Sequence, residues 1–163
     1  RFSGAGRPDE QDVRLREFDI VLASLHDRAG HTTDRLMERC LGAMAHPLVS
    51  IVTHPTNRVV PSRAGYELHF HRIFEAAVAT GTVLEIDGAP SHLDLDSVLA
   101  REAVSVGVKI SIDSDAHRAE GLARHMRLGL LTARRAWVEP RHVLNTRPIP
   151  EIRAAIAAKR RGR

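Results

Sequence analysis

The chain has one cysteine, Cys40, in 163 residues. A lone thiol cannot close an internal disulfide, so a disulfide-stapled scaffold is excluded and a reducing, cytoplasmic setting is the expectation. Cys40 falls inside the helical pattern Leu36-Met37-Glu38-Arg39-Cys40-Leu41, where a small buried hydrophobe is its expected role. No apolar run approaches the length of a membrane span, so no membrane partner is expected. The opening stretch, Arg1-Phe2-Ser3-Gly4-Ala5-Gly6-Arg7-Pro8, lacks the apolar core of a secretory signal. No Met stands at position 1, and the sequence reads as a piece of a longer chain. With neither further cysteines nor a His-x₃-His pair, a structural zinc finger is excluded as well.

What is present is ordinary globular composition. At 43% hydrophobic and 27% charged residues, the chain is not of the disordered class, and its length suffices for one domain with a buried core. A net charge of +4, with a pI near 10.2, is compatible with a polyanionic partner.

Strands and helices alternate along the sequence. Residues 1–17 are polar and read as a loop. Asp19-Ile20-Val21-Leu22-Ala23-Ser24-Leu25 is an apolar run suited to a strand covered on both faces. A helix is predicted over 33–45, a strand over 49–53, a helix over 67–80 closed by Gly81, and a third strand over 82–87. Another helix follows over 95–106, and a fourth strand begins at Val108. Ala119–Ala136 reads as helical, bent or split at Gly121 or Gly129. A last helix over 150–159 leads into a basic tail, 159–163. Strand starts spaced about thirty residues apart fit strand–helix–strand units and a parallel sheet. Two architectures satisfy this pattern, a doubly wound open sheet or part of a (β/α) barrel, a closed barrel needing about eight strands.

The strand ends carry the chemistry. The first strand runs into His26-Asp27, the second into His54, the third into Glu85-Ile86-Asp87, and the fourth into Asp113-Ser114-Asp115-Ala116-His117. Asp115 and His117, two apart, would project together from an extended backbone. Alone they admit two readings, a metal half-site or a helix cap beside an exposed histidine. Three strands of four ending in His, with acids among them, favour a divalent metal site of Zn, Mn or Fe, because a parallel sheet gathers these ends. His31, His46, His92, His125 and His142 have no partner at ligand spacing and read as loop or helix residues. Glu85 and Asp87 are open between a place near the cluster and strand-end acids bonded to amides. His69-Phe70-His71 falls in a predicted helix, where residues two apart diverge, with Phe70 packed and both His near the surface.

Ser24-Leu25-His26, Thr53-His54-Pro55-Thr56-Asn57-Arg58, Glu85-Ile86-Asp87-Gly88-Ala89-Pro90, Leu93-Asp94-Leu95-Asp96 and Asp113-Ser114-Asp115-Ala116-His117 resemble the PHP (polymerase and histidinol phosphatase) domain. So do Thr132-Ala133-Arg134-Arg135-Ala136-Trp137 and Val143-Leu144-Asn145-Thr146-Arg147, in a manner most like the PHP domain that ends bacterial family X DNA polymerases. The resemblance implies an α/β fold, a partial distorted (β/α)₇ TIM-like barrel with its N-terminal strands outside this chain, residues 18–158 being the C-terminal portion. It implies up to three divalent metal ions, with His26 and His54 on one, Asp115 on a second and His117 on a third. It implies 3′–5′ exonuclease activity on DNA 3′ ends, with a polymerase domain upstream in cis. Metals in such a site polarise the phosphodiester and lower the pKa of water, and Arg58 is a candidate phosphate contact. The family's opening His-x-His motif and bridging Glu have no counterpart in residues 1–17, so only about half of the ligand set is expected here. The alternatives are a histidinol-phosphatase-like enzyme acting on a small phosphate ester, or a non-catalytic truncated domain that binds DNA or a polymerase domain.

Overall fold

The computed structural model describes residues 10–27 and 30–162. Four short strands, β1 (Leu22–Ser24), β2 (Ile51–Thr53), β3 (Val83–Asp87) and β4 (Ile110–Asp113), form one parallel sheet in the order β1-β2-β3-β4. The α-helices of the described residues are α1 (Glu10–Leu15), α2 (Thr33–Ala45), α3 (Phe70–Thr80), α4 (Ser97–Ser105), α5 (Leu122–Arg135) and α6 (Ile149–Arg160). A doubly wound sheet reverses its strand order at a switch point; here every strand pairs with the next one in the chain. The sheet is therefore a sequential α/β arc, compatible with part of a TIM-like wall.

Strand parity divides the sheet into two chemically distinct faces. Val52, Leu84, Ile86, Ile110 and Ile112 share one face and join a single core with Met37, Cys40 and Met44 of α2, Ile73 and Phe74 of α3, Ala100 of α4 and Ala133 of α5. The opposite face carries Ser24, Thr53, Glu85, Asp87, Ser111 and Asp113, and its hydroxyls are satisfied locally. Ser24 Oγ and Thr53 Oγ1 lie 2.7 Å apart, and Ser111 Oγ donates to Asp113 Oδ2 at 2.6 Å. Toward the strand starts that face turns apolar: Ile51 and Val83 pack with Leu144 and with Ile152 of α6.

The helices start and stop where the sequence supplies partners. The Thr32 hydroxyl accepts from Arg35 N–H ahead of α2, and the Asp96 carboxylate accepts from Val98 and Leu99 N–H ahead of α4. Gly81, at φ +69°, ends α3. The free edge of β4 is covered by a side chain that imitates a strand. Asn145 accepts from Ile112 N–H at 3.1 Å and donates to Ile112 C=O at 2.8 Å, beside a Val143–Ile110 bridge.

Several expectations change. The segment read as loop over 1–17 contains α1, whose residues Glu10, Gln11, Arg14 and Leu15 are good helix formers; residues 1–9 lie outside the described residues. The basic tail is not a tail at its start. Lys159 and Arg160 close α6, Lys159 donates to Met44 C=O at 2.7 Å, and Arg160 bonds the carbonyls of Phe18 and Asp19. The run around β1 is covered on one face only: Val21 and Leu25 are buried, whereas Ile20 and Leu22 are exposed. The helical stretch is split at Gly121, where a 3₁₀ turn over Ala119–Gly121 gives way to α5, and it runs unbroken through Gly129.

Candidate metal centre

The carboxyl ends of the strands meet at one rim. His54 follows β2 directly, is buried, and sits at φ +29°. Its N–H donates to Glu85 Oε2 at 2.7 Å, a bond that locks the β2 loop onto β3. The loop is held again by Asp94, whose Oδ2 accepts from Thr56 Oγ1 and Asn57 N–H, both at 2.8 Å. The His54 ring lies 5.0 Å from that of His26, centroid to centroid, and 5.8 Å from that of His92, nearly parallel to it. Beyond His92 stand Asp87 and Asp115, and these three offer ligand atoms all within 4.8 Å of one another.

Electrostatics at the rim follow from burial. The His54 ring is held below the ordinary imidazole value by desolvation, reinforced by neighbouring His26, so it is neutral with a lone pair to give. Glu85 is pushed up to about 8, first by burial and then by the surrounding carboxylates of Asp113, Asp87 and Asp115. Asp87 rises to about 6, again chiefly through burial, against the pull of Ala89 N–H. Carboxyl groups raised by burial and by one another favour a nearby positive charge, which would lower them again. The donor set fits a divalent metal on direct observation as well. Asp87 Oδ2 and His54 Nδ1 are buried with no hydrogen-bond partner, a costly state that a cation removes.

The expected site residues divide into groups. The His26 and His54 rings come together from two crossovers, whereas Asp115 stands with Asp87 and with His92, whose ring lies against that of His54. His117 lines the same pocket as Asp115, about 560 Å³ and shared with His92, Arg118 and His125. Asp115 takes φ +43° and breaks the extended backbone, so the His117 ring turns back on its own chain: Nδ1 meets Asp115 C=O at 2.9 Å and lies 3.9 Å from the Asp115 carboxylate, with the ring largely in solvent. Arg58 is engaged elsewhere: Nε donates to His92 C=O at 2.7 Å, Nη2 to Leu93 C=O, and Nη1 reaches Asp96 at 3.4 Å.

No family model matches the chain. It is 37% identical over 149 residues, 91% of its length, to the DNA polymerase/3′-5′ exonuclease PolX of Bacillus subtilis, of which it spans 26%. It is 30% identical over 121 residues to a probable phosphatase of Caldanaerobacter subterraneus, of which it spans 45%. A probable phosphatase of a Thermoanaerobacter species matches at 28% over 165 residues, 64% of that protein. This is a PHP-type chain, related to PolX. It covers less than two thirds of each of these relatives.

The PHP-type rim contains two residues that sequence reasoning did not assign. By sequence His92 is a plain loop histidine and Asp87 is open between two roles; in the fold both stand with Asp115. No spacing rule could have found them, because the pair lies five positions apart and its third member comes from the next crossover. His31, a loop residue as the sequence implies, bonds the Asp27 carboxylate through both its N–H and its ring. The readings of His69, Phe70 and His71 agree with their positions at the start of α3, with Phe70 packed on the core and both His exposed.

Proposed function

We propose that this PHP-type chain is a divalent-metal-dependent phosphoesterase module that trims DNA 3′ ends, working within a longer cytoplasmic protein with a polymerase domain in cis. The observation that carries the reading is the run of His26, His54 and His92, ring beside ring, leading to the carboxylates of Asp87 and Asp115 at one end of a sequential parallel sheet. In the complete protein the four-stranded arc forms part of a distorted (β/α)₇ barrel, and the ligand set extends to up to three ions of Zn, Mn or Fe, with His26 and His54 on one, Asp115 on a second and His117 on a third.

Bound divalent ions supply Lewis acidity toward a phosphoryl oxygen and acidify water at neutral pH. The chain's own residues set the stage for that chemistry. Burial keeps the His54 ring neutral, and Glu85 fixes its backbone. Arg118, on the pocket wall beside His92 and Asp115, is a better placed phosphate contact than Arg58, whose donors hold the loop of residues 92–96.

The test uses the full-length protein and a 5′-labelled oligonucleotide. Chelation should abolish 3′ trimming, Mn²⁺ or Zn²⁺ should restore it, and His54→Ala should lower the rate at least about 100-fold with an unchanged melting temperature. Trimming retained in His54→Ala would overturn the assignment. The relatives named probable phosphatases favour a second reading, a small phosphomonoester substrate. Hydrolysis of p-nitrophenyl phosphate that is lost in His54→Ala, without any trimming of DNA, would select it.

A further inference from the structure

The structure assigns a divalent cation position to Asp87, His92 and Asp115, a ligand trio outside the set that the family resemblance supplies for this chain apart from Asp115. The assignment rests on the metal-dependent reading above and deepens it.

Three observations carry it. First, the carboxylate oxygens of Asp87 and Asp115 and a ring nitrogen of His92 lie within 4.8 Å of one another. Ligands about 2.1 Å from a shared zinc stand about 3.4 Å apart, so side-chain shifts of about 1 Å close the site. Second, His92 is held as a ligand. A carbonyl can only accept, so the 2.7 Å contact of Nδ1 with Arg58 C=O places the ring proton on Nδ1 and leaves Nε2 with a free lone pair. Arg58 grips the same residue a second time through His92 C=O. Third, Asp87 is fully buried; Oδ1 accepts from Ala89 N–H at 2.6 Å while Oδ2 has no partner. Independently, the unpartnered Nδ1 of buried His54 belongs to a ring stacked against His92. A mixed set of two carboxylates and one imidazole suits Mn²⁺ or Zn²⁺.

The test titrates the full 163-residue chain with Mn²⁺ and Zn²⁺ by calorimetry, with metal content measured after gel filtration. Asp87→Asn keeps the acceptor for Ala89 N–H, and His92→Gln keeps a polar side chain of similar reach. Each should weaken binding at least 10-fold, whereas His142→Ala, on a remote surface, should bind as the parent does. Substoichiometric Mn²⁺ should also broaden the His92 ring resonances in the unaltered chain, a readout that needs no variant to fold. Unchanged affinity in both variants, or His92 resonances left sharp while those of His26 broaden, overturns the trio. Loss of trimming in full-length His54→Ala alongside that result would leave the phosphoesterase reading intact. A chain that binds no metal overturns the trio too, and full-length protein that trims DNA in the presence of chelator overturns the parent reading.

Discussion

At the scale of single residues, burial decides which groups react. Cys40 is buried against Met44, and desolvation pushes its thiol up to about 11. The thiolate is the nucleophile, so a thiol reagent at pH 8 is expected to modify the folded chain at least about 100-fold more slowly than the urea-unfolded chain, followed by absorbance. Equal rates would show that the α2–sheet interface opens freely. Because the folded value lies above the ordinary one, the thiol favours folding below about pH 9 and loses that contribution as pH rises through about 11. This role was legible from the stripe Leu36, Met37, Cys40, Leu41 and Met44, since helical periodicity alone puts these residues on one face. His54 was legible too, as the polar end of an apolar run. His92 was not, because its position depends on the Arg58 carbonyl and guanidinium, which come from another loop and have no signature in local spacing.

At the scale of elements, the rim depends on how closely α5 approaches the end of β3. A Cβ on Gly88 would stand 2.1 Å from His125 C=O and 2.9 Å from Gly129 N, both backbone atoms that cannot step aside. A Cβ on Gly129 would meet the Ile112 Cγ2 methyl at 3.0 Å, a side-chain end that can turn away. Gly88→Ala is therefore expected to cost more than about 3 kcal/mol. For Gly129→Ala, the better helix propensity of about 1 kcal/mol offsets much of the strain, and urea denaturation midpoints should rank the two in that order. The reverse order would contradict the close approach. In the sequence Gly129 looks like a helix break; its reason is a neighbour across the fold, which no single-segment pattern contains. On the β4 edge, Asn145→Ala removes both bonds to Ile112 and leaves a strand N–H and C=O without partners. That is expected to cost about 2 kcal/mol by the same measurement.

For the whole molecule, the alternation of strands and helices was enough to anticipate a parallel sheet, and its sequential strand order is compatible with a partial TIM-like fold. What alternation could not reveal is how the far end of the chain fastens the fold, because that contact spans 115 residues. Lys159 crosses from α6 to the carboxyl end of α2 and donates to Met44 C=O, which also accepts from Thr82 Oγ1. Its ammonium is buried, and desolvation lowers its pKa below the ordinary lysine value. Between that lowered value and 10.5, the unfolded chain binds more protons than the folded one, so this residue makes stability rise with pH, by at most about 1.4 kcal/mol per unit. Lys159→Met removes the buried charge and leaves Met44 C=O with Thr82, so it is expected to stabilise the chain by about 1 kcal/mol at pH 7. Urea midpoints of parent and variant, measured from pH 7 to 10, should converge as pH rises; the opposing titration of Cys40 is common to both and cancels. A gap that is constant with pH would mean that the ammonium is as well solvated folded as unfolded.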